Sequence, residues 1–161
     1  VKDINGDGYI DIISGHDSWI LWFKNDGNGN FSRYQVSKSG EVSGGRKVYA
    51  IDINGDNDID ILSASQSNDR INWYENSGGA DPTWTTHTIS INADYAQSVH
   101  AADMEGDGDI ALGAPLGYRP GLRWLRGHVD GDRQGQFVGV DRVPSRRQGL
   151  SVYLDPLPEI W

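Results

Sequence analysis

Apolar residues along this chain fall in short runs separated by stretches rich in Gly, Asn, Asp and Ser, the pattern of brief strands joined by tight turns. Ile10-Asp11-Ile12-Ile13 and Ile59-Asp60-Ile61-Leu62 each follow an acidic segment and read as strands. A second strand is predicted at Trp19-Ile20-Leu21-Trp22-Phe23 and again at Arg70-Ile71-Asn72-Trp73-Tyr74. Turns follow at Asn25-Asp26-Gly27-Asn28-Gly29-Asn30 and Asn76-Ser77-Gly78-Gly79, built of residues that tolerate positive φ. Phe31 and Trp84 open a third strand, and Val48-Tyr49-Ala50-Ile51 and Val99-His100-Ala101 mark a fourth. No window of helical length carries a 3.6-residue apolar stripe, so the chain reads as all-β.

The order of these elements repeats. An acidic motif occurs at Asp3-Ile4-Asn5-Gly6-Asp7-Gly8-Tyr9-Ile10-Asp11-Ile12, at Asp52-Ile53-Asn54-Gly55-Asp56-Asn57-Asp58-Ile59-Asp60-Ile61 and at Asp103-Met104-Glu105-Gly106-Asp107-Gly108-Asp109-Ile110, with starts 49 and 51 residues apart. Trp22, Trp73 and Trp124 keep step with it at intervals of 51. Two independent markers on one period identify a repeat protein. Four strands in about 50 residues is the size of a β-propeller blade. The whole chain, 1–161, is therefore expected to be a partial propeller of about three four-stranded blades, with repeats at 1–51, 52–102 and an atypical 103–161. The recurring Trp residues are expected to pack between blades, since buried aromatics dominate core area.

Numbered from Asp3 as position 1, the first motif places oxygen-bearing side chains at positions 1, 3, 5 and 9: Asp3, Asn5, Asp7 and Asp11. The backbone carbonyl of Tyr9, at position 7, can join them. The second motif offers Asp52, Asn54, Asp56, the Asp58 carbonyl and Asp60. Asn57 replaces glycine at position 6, and Asn is the next residue best suited to the left-handed region. Hard oxygen donors in such number suit calcium, whereas zinc and copper favour nitrogen and sulfur. Three carboxylates gathered within about 4–5 Å repel by several kcal/mol per pair at an effective dielectric near 20, so a cation is expected to close the loop. A calcium affinity of about 10⁻⁴–10⁻³ M, the range of extracellular modules, is expected. The third motif offers Asp103, Glu105, Asp107 and Asp109, but its position 9 is Ala111, which cannot ligate. A helix–loop–helix calcium site is excluded. It needs a bidentate Glu at position 12, where this chain has Ser14, Ser63 and Ala114.

Composition narrows the partners. The formal net charge of −9 argues against nucleic acid, which wants a basic surface, and is compatible with cations. No segment approaches the roughly 18 consecutive apolar residues of a membrane helix, so no span is expected. There is no cysteine, so no disulfide staples the loops. The chain opens on Val1-Lys2-Asp3, with neither an initiator Met nor an apolar leader, and reads as a portion of a longer product.

The run at 3–12, followed by Trp22-Phe23-Lys24-Asn25-Asp26-Gly27-Asn28-Gly29-Asn30-Phe31, resembles the FG-GAP/VCBS repeat family, found in integrin α-subunit propellers, some lectins and secreted polysaccharide-active proteins. The resemblance extends to about residue 112. It implies an extracellular or cell-surface propeller whose acidic loops bind calcium through Asp3, Asn5, Asp7, Asp11 and Asp52, Asn54, Asp56, Asp60. Beyond 112 it thins, and seven of ten Arg lie between 119 and 147. Closed propellers use about four to eight blades. The remaining blades are expected from a longer chain or from self-association.

Three functions compete on this reading. The first is a calcium-stabilised, non-catalytic binding or adhesion module for a glycan or an extracellular protein, using loops such as 15–19, 64–70 and 114–123. Trp19 and Tyr118 are the candidate ligand contacts. The second is a propeller part, catalytic or not, of a larger secreted polysaccharide-active enzyme. Against it, His16, His87, His100 and His128 share no repeat position, no Gly-x-Ser-x-Gly elbow occurs, and His100 is expected to be packed. The third is a structural spacer.

Overall fold

The computed structural model describes residues 1–103, 110–116, 123–130 and 136–144. Three antiparallel sheets follow one another along the chain. The first contains β1 (Ile12–Gly15), β2 (Ile20–Asn25) and β3 (Phe31–Gln35), in that order. β4 (Gly45–Ile51), β5 (Asp60–Ser65), β6 (Arg70–Asn76) and β7 (Trp84–Ser90) form the second, and β8 (His100–Asp103), β9 (Ile110–Leu116), β10 (Arg123–Asp130) and β11 (Gln136–Pro144) the third. Each strand pairs with its sequence neighbour, as propeller blades do. The architecture is all-β, and the described sheets do not close a ring.

The sheets are offset from units counted at the acidic motif. Residues 52–59 join β4 to β5 within one sheet, so the second blade runs over 45–90. A count from the most visible marker starts inside a hairpin, whereas pairing starts at the strand leading into it. In the first blade Lys2 pairs with Asp11 in an isolated bridge ahead of β1.

Alternation along the strands explains how the sheets stack, because successive side chains point to opposite faces. Ile61 of β5 and Tyr74 of β6 join Ile4, Ile20 and Trp22 of the first blade in one core cluster. Their neighbours Leu62, Ala64, Ile71 and Trp73 join Val99, Ala101, Ile110, Leu112 and Ala114 of the third blade in another. The second sheet is thus covered on both faces, and every residue of β5 is buried. Trp22 and Trp73 are each 1% exposed and pack as the repeat register predicts. Trp124 stands on β10 with Pro115 as its partner on β9. The connections 36–44 and 91–99 fill the seams, burying Val36 and Val42 in one and Ala93 and Ala96 in the other.

Candidate metal centre

Each acidic loop leaves a strand end and returns at once, which forces its backbone through the left-handed region. In the first loop Gly6 (φ 70°) and Gly8 (φ 90°) take this conformation; in the second, Gly55 (φ 79°) and Asn57 (φ 72°) do. Asn57 therefore does the work of glycine at position 6, as its type allows.

Asp3 organises the first loop. Its Oδ1 accepts the backbone N–H groups of Gly6 (2.9 Å) and Asp7 (3.2 Å), and its Oδ2 that of Gly8 (2.8 Å). Asp7 Oδ1 accepts the Tyr9 N–H at 2.9 Å, and Asp7 Oδ2 accepts Asn5 Nδ2–H at 2.9 Å. The second loop repeats this. Asp52 accepts from the amides of Gly55 (2.8 Å) and Asn57 (2.9 Å), Asp56 Oδ1 accepts from the Asp58 amide (2.8 Å), and Asp56 Oδ2 accepts from Asn54 Nδ2 (2.8 Å). Positions 1, 3 and 5 are drawn together in both loops. The Asn5 amide and the Tyr9 N–H hold the Asp7 carboxyl below the usual carboxylate range.

Position 9 is placed differently. Asp11 and Asp60 are wholly buried at the loop bases. Asp11 Oδ2 accepts from the Ile4 N–H (3.1 Å) and the Trp22 indole Nε1–H (2.9 Å), while Oδ1 accepts from the Asn25 N–H (2.8 Å). Asp60 accepts from the Ile53 N–H (3.1 Å) and the Asn76 N–H (2.8 Å). These carboxylates tie each loop to its Trp strand. An ionised carboxylate has about four acceptor sites, so Asp11 keeps one on Oδ1. Burial pushes the Asp60 carboxyl up to about 7; the Asp56 charge adds to the rise, and the Asn76 and Ile53 N–H groups oppose it.

Asp11 and Asp60 each sit in a nest of N–H donors at the base of the loop. Among the described residues, no three acidic, His or Cys side chains converge into a metal cluster. What the first loop offers is a mixed oxygen set of two carboxylates, an amide and a carbonyl. Asn5 Oδ1 belongs to that set and is buried with no hydrogen-bond partner. An orphaned amide oxygen between two aspartates fits a hard divalent cation.

Sequence reading missed Asn25 and Asn76. Asn25 Nδ2 donates to the Ile10 carbonyl (3.1 Å), and Asn76 Nδ2 donates to those of Ile59 (3.0 Å) and Ile4 (3.0 Å), the last in the neighbouring blade. Their shared place at the end of the Trp strand was the available signal. The position two residues past each Trp carries opposite charges. Lys24 Nζ donates to the Ala80 carbonyl (2.7 Å) and pairs with Asp81 (3.2 Å), whereas Glu75 meets His87 Nε2 at 2.7 Å.

Of the other predicted site residues, Asp103 ends β8 and is exposed, while Glu105, Asp107, Asp109 and Tyr118 lie outside the described residues. Trp19 is half-buried in a turn that exchanges backbone hydrogen bonds with His16. His100 is exposed, not packed, with its ring edge-on to Tyr49 at 5.8 Å. It stands on β8, which lies near β4, the strand that carries Tyr49.

A family model described as an FG-GAP-like repeat matches residues 3–63 and 52–114. No match is found among curated proteins or among solved structures.

Proposed function

Because the chain belongs to the FG-GAP-like repeat family, we propose that it is a calcium-stabilised, non-catalytic extracellular module that binds a glycan or protein ligand. The observation that carries this reading is the twofold recurrence of one oxygen set. Asp3, Asn5 and Asp7 in one loop and Asp52, Asn54 and Asp56 in the next share three of these hydrogen bonds and differ at position 3, where Asn54 Oδ1 accepts the Asp56 N–H at 3.2 Å while Asn5 Oδ1 has no partner. A turn selected only for solubility has no reason to keep that register.

In this proposal the ion is held by Asp3, Asn5, Asp7 and the Tyr9 carbonyl, and in the second loop by Asp52, Asn54, Asp56 and the Asp58 carbonyl. Asp11 and Asp60 stand behind as anchors that retain acceptor capacity. Calcium would supply fixed positive charge and no catalytic step. The chain's own residues do the rest: Asp3 and Asp52 pre-form the turn through backbone amides, and Asn25 and Asn76 fasten it to the next strand. A rigid blade edge can then present variable loops to a ligand, with Trp19 and Tyr118 as candidate contacts. No helix among the described residues is long and apolar enough to cross a membrane.

A glycan array and a panel of extracellular matrix proteins, probed with calcium and with EDTA, test the proposal. Binding in calcium that is lost in EDTA is the expected result. Silence under both conditions removes the binding role and leaves a structural spacer.

A further inference from the structure

The two acidic loops differ in the charge that stands beside them. The residue two past each Trp shares the Trp's face of its strand, because side chains alternate, and lies next to the Asn that anchors the loop base. It is Lys24 in the first blade and Glu75 in the second.

In both loops the position-3 amide is held by two acceptors. Asn5 Nδ2 donates to Asp7 Oδ2 (2.9 Å) and to the Ala80 carbonyl in the second blade's β6–β7 hairpin (3.3 Å). Lys24 Nζ donates to that same carbonyl at 2.7 Å, so an ammonium stands one oxygen away from the first loop. Asn54 Nδ2 donates to Asp56 Oδ2 (2.8 Å) and lies 3.4 Å from Glu75 Oε1, a carboxylate in place of the neutral carbonyl. His87 Nε2 meets the other Glu75 oxygen at 2.7 Å, which leaves Oε1 to Asn54.

The Lys24 charge is felt in the first loop. The Asn5 amide and the Tyr9 N–H do most to hold the Asp7 carboxyl below its ordinary range, and Lys24 adds to them. Asp81 offsets Lys24 only in part, since its side chain is 78% exposed and exposed ion pairs are weak. Position 7 sharpens the contrast, with Tyr9 in the first loop and Asp58 in the second.

We propose that Lys24 and Glu75 make the loops unequal, so that the second binds a divalent cation roughly tenfold more tightly than the first. The proposal rests on the reading of both loops as cation sites and adds a rank between them. The first loop sets Asp3 and Asp7 against the Lys24 charge, whereas the second has Asp52, Asp56 and Asp58 with Glu75 beside them. Ligand charge count tunes calcium affinity in oxygen sites, and a neighbouring charge acts in the same direction.

Calorimetric titration of calcium into two single-loop variants of the full chain tests this, at low salt and about pH 8, where an unperturbed imidazole is uncharged. Asp7→Ala leaves the second loop to bind, and Asp56→Ala leaves the first. The expected result is a dissociation constant roughly ten times smaller in Asp7→Ala. Adding Glu75→Gln, which keeps an acceptor oxygen for Asn54, should weaken that site about threefold. Adding Lys24→Gln to Asp56→Ala should tighten the other by a similar factor, and both effects should shrink as salt rises. Circular dichroism must show each variant folded; where one is not, hydrogen exchange of the unmodified chain decides. There the Gly55 and Asn57 amides are expected to slow at lower calcium than those of Gly6 and Gly8. Equal affinities, a tighter first loop, or constants indifferent to both charge changes would overturn the proposal and leave the cation reading standing. No heat and no slowing in either loop would overturn both.

Discussion

Asp11 and Asp60 hold the same place after their loops, yet their surroundings differ at one donor. Trp22 Nε1 donates to Asp11, whereas Trp73 Nε1 falls outside hydrogen-bonding geometry and gives Asp60 only weak help. Asp11→Ala would orphan the Ile4 and Asn25 amides and the Trp22 indole. At about 1–3 kcal/mol for each buried unsatisfied donor, with incomplete additivity, urea unfolding should report a loss of roughly 3 kcal/mol or more. Asp60 makes a separate prediction about pH. Its folded pKa of about 7 lies above the 3.8 ordinary for an aspartate, so the folded state binds the proton more tightly between these values. Stability in EDTA should therefore fall as pH rises from about 4 to about 7, and Asp60→Asn should flatten that slope. Urea midpoints across this window check it, and a midpoint that rises with pH through it would contradict the assignment. The donors to these carboxylates were not legible in the sequence. The position-9 Asp looks like one more loop oxygen until folding brings a Trp strand against it.

The elements were more legible than their frame. Turn residues, Trp spacing and alternation locate the strands, because each is a local property. The sheet boundaries are not local: they depend on which strand pairs across the loop, and Asn76 reaches Ile4 across 72 residues of sequence. The hairpin beside each loop shows the same limit. Gly27 has a φ of 75°, and a Cβ there would collide with the Tyr9 ring; Gly78 has a φ of 76°, and its Cβ would collide with Asp58 Oδ2. The sequence announces glycines suited to a turn, but not that the position-7 side chain lies over them. Gly27→Ala is expected to destabilise by about 1–2 kcal/mol, combining left-handed strain with displacement of the ring. In thermal melts Tyr9→Ala should restore the part due to the ring and leave the part due to φ.

At the scale of the whole molecule, stability resides in seams between blades. Trp73 is buried where the second blade meets the third, and Trp73→Ala is expected to cost about 3–5 kcal/mol by chemical denaturation. An exposed aromatic such as Tyr34 should cost far less. The two candidate loops lie between Lys2 and Asp11 in the first blade and between β4 and β5 in the second, so an ion held there would stiffen pairing that the seams then propagate. The packing of Trp22 and Trp73 was readable from period and pattern. Calorimetric titration of calcium into the metal-free chain, beside an Asp7→Ala/Asp56→Ala variant, tests the central claim most directly. The account predicts saturable heat in the range of about 10⁻⁴–10⁻³ M and a higher melting temperature, both lost in the variant. No heat of binding, with the same melting temperature in calcium and in EDTA, would contradict it.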